Sequence, residues 1–249
     1  MNAARALLSL TLATLLMAPL ALAEKKTPAA AGTTVDHGTF RFFQNGKAIA
    51  SETFTIQKLA DGSSVTESSL SLNDGKPVQN YRLELTPQGW LTHYEWHSTN
   101  ESGKPASASV DPDAATGYLT EKAQPAGEKP VTVPIMLPAS VTILEDYFVS
   151  QRELLLWRYM AAHCRMQDGR NQCTLPAENF GALAPLLKLP LTVNLSFAGQ
   201  DVLHIKGVDR KLSHYRVVSG DGTWSLWIDE QNLLQRVVIE ETGAEILRD

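Results

Sequence analysis

The 249-residue sequence contains only two cysteines, and beyond its first 23 residues no apolar run reaches the length of a membrane span. No transmembrane anchor is therefore expected in the rest of the chain. Basic residues are in deficit, because 22 Lys and Arg stand against 27 Asp and Glu, for a net charge of −5. This balance argues against nucleic acid as a partner, since such binding requires a clustered basic surface.

Sequence motifs for catalysis are also missing. The chain has no Gly-x-Ser-x-Gly, Ser-x-x-Lys or His-Glu-x-x-His motif, and no Gly-rich loop precedes a predicted helix. We therefore predict no enzymatic activity and no cofactor. A hydrolase would need a cluster of polar side chains that converges in a cavity.

One short row of side chains has the chemistry of metal ligands. His93, Glu95 and His97 alternate along a predicted strand, so their side chains project to the same face. Alternate positions on a strand lie about 7 Å apart, which places the two histidines too far apart to share one ion without strong curvature. The row is predicted to be a solvent-facing polar stripe, and no metal site is expected.

The N-terminus has the features of a secretory signal peptide. Arg5 supplies a short positive region, Ala6–Leu16 is mostly apolar, and Ala21-Leu22-Ala23 fits a signal-peptidase cleavage site. We predict that residues 1–23 are cleaved and that the soluble remainder is exported to a bacterial periplasm. A lipid anchor is not expected, because no cysteine stands at the cleavage point.

The two cysteines flank a predicted turn. Cys164 and Cys173 lie on either side of Asp168-Gly169, so the segment can fold back as a hairpin that brings both sulfurs together. In an oxidising compartment such a pair is typical of a structural disulfide. A redox-active pair is the alternative, but redox centres favour Cys-x-x-Cys at the start of a helix.

Turn residues at intervals of about ten divide most of the chain into short strands. Residues 24–37 are rich in Ala, Thr, Pro and Lys and are predicted to be a disordered leader, followed by a single β-rich domain at 38–249. The alternation of apolar and polar residues predicts an up-and-down antiparallel meander on each side of one helical region. The predicted strands are an opening strand around Phe40 and Phe42, then 48–58, 65–72, 78–86, 90–98, 106–110, 118–123, 191–197, 201–207, 211–218, 223–229 and 233–240.

The segment from Val141 to Ala162 contains neither Gly nor Pro and carries apolar residues at helical spacing. It predicts one helix of about five turns, with a shorter helical turn or loop around Glu178–Leu187. The predicted fold class is mainly β with α: a curved antiparallel sheet, or half-barrel, in the order meander, helix, meander. The long helix is expected to pack on the concave face of the sheet.

Three stretches carry a resemblance to a known group of proteins. Phe40, Gly46, Ala50, Glu52 and Phe54 form an opening pattern that resembles the first hairpin of uncharacterised exported bacterial β-proteins. The stretch from Leu144 to Tyr159 resembles their central helix. The stretch from Trp227 to Val237 is similar to a strand-turn-strand of the lipoprotein-carrier type of fold, an open half-barrel that carries acyl chains. The resemblance implies this fold and a role in carrying lipid.

A concave apolar face under a helix predicts space for a hydrophobic ligand. We predict binding or shuttling of a lipid or lipidated protein without catalysis. The alternative is a structural or interaction protein of the cell envelope whose core is filled by its own side chains. The oligomeric state stays open. The candidate lining residues, chosen because they fall on predicted inward faces, are Phe54, Ile56, Leu83, Trp90, Tyr94, Trp96, Leu155 and Trp157.

Overall fold

Seventeen strands and one α-helix account for most of the residues that the computed structural model describes, namely 32–73, 77–99, 103–167, 170–173, 177–220 and 222–249. The predicted signal peptide and most of the predicted leader lie outside these residues. The first six strands are β1 (Thr33–Gln44), β2 (Lys47–Lys58), β3 (Ser64–Leu72), β4 (Pro77–Leu85), β5 (Leu91–Thr99) and β6 (Pro105–Pro112). They are followed by β7 (Tyr118–Gln124), β8 (Val131–Pro138), β9 (Thr142–Ile143), α1 (Val149–His163), β10 (Cys164–Gln167) and β11 (Arg170–Cys173). The last six are β12 (Ala177–Ala184), β13 (Leu189–Ile205), β14 (Val208–Ser219), β15 (Gly222–Ile228), β16 (Leu234–Ile239) and β17 (Ala244–Arg248).

Fifteen of these strands form one sheet in the order β8-β7-β6-β5-β4-β3-β2-β1-β17-β16-β15-β14-β13-β12-β9. Each neighbouring pair is antiparallel except β12 and β9, which are parallel. The sheet therefore consists of two meanders, β1–β8 and β12–β17, joined where β1 pairs with β17. This arrangement confirms the predicted fold class, a curved antiparallel sheet with one long helix.

The helix is shorter than predicted. It begins at Val149 instead of Val141, because Thr142 and Ile143 pair with β12 and the following residues form an irregular connection. Most of its first half is buried, charged residues included, which places it in the core between the two meanders. Leu155, Leu156 and Tyr159 pack there against apolar side chains of the sheet.

Several strands were missed or misassigned from the sequence. The helical turn or loop predicted at Glu178–Leu187 is wrong for most of its length, because residues 177–184 form β12 and only Pro185–Leu187 make a 3-10 turn. The break predicted between strands 191–197 and 201–207 is also wrong. Residues 189–205 form one strand, with a bulge at Gly199 that adopts a φ of +125°. The strands β8 and β17 were not predicted.

The start of the domain also differs from the prediction. The predicted leader, 24–37, overlaps β1, because that strand begins at Thr33 and pairs with β2 from there onwards. Asp36 within this stretch is buried and forms an ion pair with Arg248 near the end of β17. The N- and C-terminal strands are thus held together by charge as well as by backbone hydrogen bonds.

Candidate ligand-binding site

An open apolar groove of about 870 Å³ lies beside the N-terminal end of α1. We call it the N-end groove. Its walls come from both meanders, and its rim carries Asp146 and Tyr147 from the connection that leads into the helix. The described lining residues are Phe42, Gln44, Ile49, Ala50, Leu70, Leu72, Val78, Gln79, Ser98, Thr99, Asp146, Tyr147, Trp224, Ile239, Thr242 and Ala244.

The alternation of the strands explains why this groove is apolar. Phe42 and Leu70 belong to the row of inward-facing side chains that continues the core, and both are buried. Leu72 continues this inward row beyond Leu70 and is 52% exposed at the groove. Tyr147, on the rim, is 59% exposed.

A buried carboxylate fixes the end of the helix that borders the groove. The N-cap residue Phe148 provides no side-chain hydrogen bond. Instead Glu52 on β2 accepts hydrogen bonds from the backbone N–H of Val149, at 2.6 Å, and from both the N–H and the hydroxyl of Ser150. The hydroxyl of Ser68 donates to the same carboxylate at 2.8 Å. Burial raises the pKa of Glu52, and these four donors counteract that rise.

A second buried carboxylate, Glu145, ties the connection before the helix to three parts of the fold. Its Oε1 accepts hydrogen bonds from the N–H of Leu186, at 3.1 Å, and from the hydroxyl of Tyr94, at 3.4 Å. Its backbone N–H donates to Gln151, and its carbonyl accepts from Arg152. Burial raises the pKa of Glu145 to about 7 despite these donors, and the charge of neighbouring Asp146 adds to the rise.

A third buried carboxylate belongs to the helix itself. Glu153 Oε1 accepts the backbone N–H of Leu234 at 2.7 Å and lies 3.5 Å from Nη1 of Arg248, which also pairs with Asp36. Burial raises the pKa of Glu153 well above its usual range. Arg152 and Glu153 are thus buried although both are charged.

A second open groove, of about 550 Å³, lies along the C-terminal half of α1, and we call it the C-end groove. Its lining includes Trp157 and Phe180, but also the charged residues Lys58, Arg158 and Glu178. Arg158 donates to the carbonyl of Ser140 at 2.9 Å. The two grooves thus differ in chemistry, because the second one presents two cations.

The eight candidate lining residues predicted from the sequence do not form one open groove. Five of them are almost completely buried in the core: Phe54, Ile56, Leu83, Tyr94 and Leu155. Trp96 and Trp157 are partly buried against that core. Trp90 is 49% exposed, because it precedes β5 and the inward position is taken by Leu91. Ile56 and Trp157 reach the C-end groove, and none of the eight lines the N-end groove.

The outer face of the sheet carries a row of hydrogen-bonded Asp, His and Ser side chains that no sequence motif predicted. Nδ1 of His214 lies 3.2 Å from Asp201, and its Nε2 lies 3.1 Å from the hydroxyl of Ser225. Ser225 is buried, however, and its hydroxyl donates to Glu240 at 2.9 Å. Because the hydroxyl proton points to Glu240 instead of His214, this serine is not prepared as a nucleophile.

The predicted polar stripe of histidines lies on strand β5. His93 hydrogen-bonds Asp111 at 2.7 Å and His97 hydrogen-bonds Glu95 at 2.8 Å, so each ring already has a carboxylate partner. No cluster of three potential ligands able to hold a metal ion occurs among the described residues.

The predicted disulfide between Cys164 and Cys173 is confirmed, and it closes the β10–β11 hairpin that follows the helix.

Comparison with known proteins supports the fold and leaves the function open. The chain matches no protein-family model and no curated protein. It is similar in structure to a β-barrel-like protein of domain of unknown function DUF1849 from Brucella abortus. The TM-score is 0.53 at 7% identity, over 88% of this chain and 97% of that chain. This similarity shows a β-barrel-like fold and carries no assignment to the lipoprotein-carrier type.

No helix within the described ranges combines the length and the apolar character that crossing a bilayer requires.

Proposed function

We propose that this protein is exported and binds a hydrophobic ligand, a lipid or the lipid chain of a modified protein, in the N-end groove without catalysis. The observation that carries the proposal is an open groove of about 870 Å³ whose walls are mostly apolar. Ligand sites of small molecules are concave, mostly apolar and of this order of size.

Burial of an acyl chain supplies enough free energy for reversible binding. Each methylene removed from water contributes about 0.8 kcal/mol, so ten methylenes contribute roughly 8 kcal/mol before the cost of association. Because a net free energy of about 8.2 kcal/mol corresponds to about 1 µM, a dissociation constant weaker than about 1 µM is expected for ten methylenes once that cost is subtracted. Such affinities suit a protein that takes up and releases its ligand.

The proposal of export rests on the sequence features of residues 1–23 and is consistent with the disulfide between Cys164 and Cys173. Disulfides persist in oxidising compartments and are rare in the cytosol.

The second candidate function is a structural or interaction protein of the cell envelope that holds no ligand. One observation favours it: most of the side chains predicted to line a ligand site, such as Phe54 and Leu155, fill the core themselves. In that case the N-end groove would stay empty in the purified protein.

Mass spectrometry of organic extracts from the gently purified exported protein distinguishes the two functions, with a second periplasmic protein as the control. We expect a reproducible, stoichiometric lipid. The variant Ala244→Trp, which places a large ring in the N-end groove, should lose most of that lipid, and Ala161→Trp in the C-end groove should retain it. An extract without lipid, together with no shift in thermal stability on adding candidate lipids, would leave the envelope role as the better account.

A further inference from the structure

We propose that the C-end groove is a second ligand site, and that it binds an organic monoanion, a carboxylate with a compact apolar body. This inference does not depend on the lipid proposed for the N-end groove, because it rests on a different groove and a different kind of ligand.

Arg158 lines the C-end groove and carries a charge that the fold compensates only in part. Its Nη1 donates to the carbonyl of Ser140 at 2.9 Å and to the hydroxyl of Thr142 at 3.4 Å, and both acceptors are neutral. Within the described part of the chain Arg158 forms no ion pair, and none of its hydrogen bonds uses Nε or Nη2. Burial lowers the pKa of Arg158, as expected for a guanidinium that has lost water without gaining a carboxylate.

The carboxylate on the lining of the same groove is engaged elsewhere. Glu178 raises the pKa of Arg158 through its charge, but its Oε2 is hydrogen-bonded to Nε2 of His163 at 2.5 Å. The effect of burial on Arg158 exceeds that of Glu178. The guanidinium would therefore gain from an anion that enters the groove.

Lys58 adds a second cation to this lining. It is the last residue of β2, it is exposed, and it forms no ion pair with a residue that the structure describes. The charged side chains among the described lining residues are thus Lys58, Arg158 and Glu178, two cations and one carboxylate. A ligand with a single negative charge balances them, whereas a phosphate dianion would exceed the balance.

The stem of Arg158 is held in place by the turn between β4 and β5. Gly89 in that turn has a φ of +77°, and a Cβ atom there would lie 3.5 Å from Cδ of Arg158. On another side the guanidinium carbon lies 5.3 Å from the ring centroid of Phe180. Because Nη1 is used within the protein, Nε and Nη2 remain, and a carboxylate can accept two parallel hydrogen bonds from such a pair.

The remaining lining suits an apolar body of limited size. Ile56, Leu154, Trp157 and Phe180 contribute apolar surface. The indole N–H of Trp157 donates to the carbonyl of Asn232 at 2.8 Å, so its ring offers the groove an apolar surface. The volume of about 550 Å³ lies within the range of small-molecule sites, and the charged side chains interrupt the wall that a long acyl chain would need.

Three ligands with the same aromatic body test this inference at neutral pH: naphthoate, the uncharged naphthamide and the cation naphthylmethylammonium. Dissociation constants are measured by calorimetry. Methyl chemical shifts of Leu85 and Leu154 report binding in the C-end groove, and those of Ile49 and Leu72 report binding in the N-end groove. We expect naphthoate to bind in the C-end groove about tenfold more tightly than naphthamide, and naphthylmethylammonium to bind most weakly.

Three substitutions assign this preference to the two cations. Arg158→Met should weaken naphthoate binding about tenfold and leave naphthamide binding nearly unchanged. Lys58→Glu alters an exposed position, where folding is not at risk, and should weaken naphthoate binding about three- to fivefold. The matched control is Lys47→Met, which removes an exposed cation from the other end of β2, outside both grooves, and should change neither affinity.

Two results would overturn the inference. Naphthamide binding in the C-end groove as tightly as naphthoate would show that the cations do not select the ligand. Naphthoate that shifts only Ile49 and Leu72, or that binds nowhere, would show that the C-end groove is not an anion site. Neither result bears on the lipid of the N-end groove, which is tested separately.

Discussion

The two ends of α1 are held in place by different means, and they border grooves of different chemistry. The N-terminal end is held by the carboxylate of Glu52, which accepts three hydrogen bonds from Val149 and Ser150 and a fourth from Ser68 on β3. The C-terminal end leads directly into the β10–β11 hairpin, which the Cys164–Cys173 disulfide closes. The N-end groove is apolar with one acidic residue on its rim, whereas the C-end groove presents Lys58 and Arg158.

This difference indicates which end has room for an uncharged acyl chain. At the C-terminal end, charged side chains such as Arg158 already bind within the protein and break up the apolar wall. At the N-terminal end Glu52 and Glu145 are buried and hydrogen-bonded within the fold, and the wall that faces the groove is mostly apolar. The buried carboxylates thus separate the anchoring of the helix from the lining of the groove.

Loss of the Glu52 carboxylate is expected to have the largest effect on stability. Glu52→Ala leaves the N–H groups of Val149 and Ser150 and the hydroxyl of Ser68 without their buried acceptor. We expect unfolding in urea to require about 3–5 kcal/mol less free energy than in the natural protein. The control is Glu67→Ala on the next strand, where an exposed carboxylate pairs with Arg82 and should be worth less than about 1 kcal/mol. Equal effects at the two positions would contradict the role given to Glu52.

Neutral pH is expected to destabilise the protein through Glu145. Its folded pKa of about 7 exceeds the ordinary value of 4.5. Between pH 4.5 and 7, therefore, Glu145 keeps its proton in the folded state and has lost it in the unfolded state. The free energy of unfolding should therefore fall as pH rises from about 4.5 to 7, by at most about 3 kcal/mol from this residue. Tyr94, Arg152 and Asp146 face the same carboxyl group, and Glu52 and Glu153 contribute with the same sign.

The variant Glu145→Gln isolates this contribution. Urea unfolding across pH 4.5–8 should show a shallower loss of stability for the variant, which should be relatively more stable at pH 8. The comparison variant Glu84→Gln replaces a partly exposed carboxylate of β4 that pairs with Arg82. If Glu145→Gln left the slope unchanged, the raised pKa of Glu145 would be contradicted.

Removal of the disulfide at the C-terminal end of the helix should lower stability by a smaller amount and leave the N-end groove unchanged. Replacing both Cys164 and Cys173 by Ser opens a short loop, and the chain-entropy model gives a loss of about 2–3 kcal/mol. Ligand affinity at the N-end groove should stay the same, because none of the described groove-lining residues belongs to the hairpin. Reduction of the natural protein under non-denaturing conditions provides the matched measurement. A large drop in ligand affinity would show that the two ends are coupled and would break the comparison.

Local patterns of the sequence were enough to predict the fold class and the disulfide. Alternating residues such as Phe54 and Ile56, separated by turns with Gly, Asn and Asp, fixed most strands of both meanders. The missed strands lacked that signal. β8 contains Pro134 and Pro138, which weaken the strand signal. β17 is a short strand, and its position depends on pairing with β1, which lies about 200 residues earlier in the sequence.

The sequence predicted that a ligand site would be concave and apolar, but not which residues would line it. Side chains that fill the core and side chains that line an open groove both occupy inward-facing strand positions, so the alternation of the strands does not distinguish them. Leu155 fills the core because the helix lies over that part of the sheet, whereas Leu72 lies beyond the helix end. The helix also begins at Val149 and not at the predicted Val141, so the connection that carries Asp146 and Tyr147 lies at the rim of the N-end groove. The contact between Glu52 and the helix N-terminus joins residues about a hundred positions apart, which no local pattern encodes.

Methyl nuclear magnetic resonance during titration with monolaurin tests the central claim most directly, because it reports which groove holds the ligand. The account predicts saturable shifts of Ile49, Leu70, Leu72, Val78 and Ile239, which line the N-end groove. Leu85 and Leu154, which line the C-end groove, should stay unchanged. Shifts confined to Leu85 and Leu154, or no saturable shifts in either set, would contradict the assignment of the N-end groove as the ligand site.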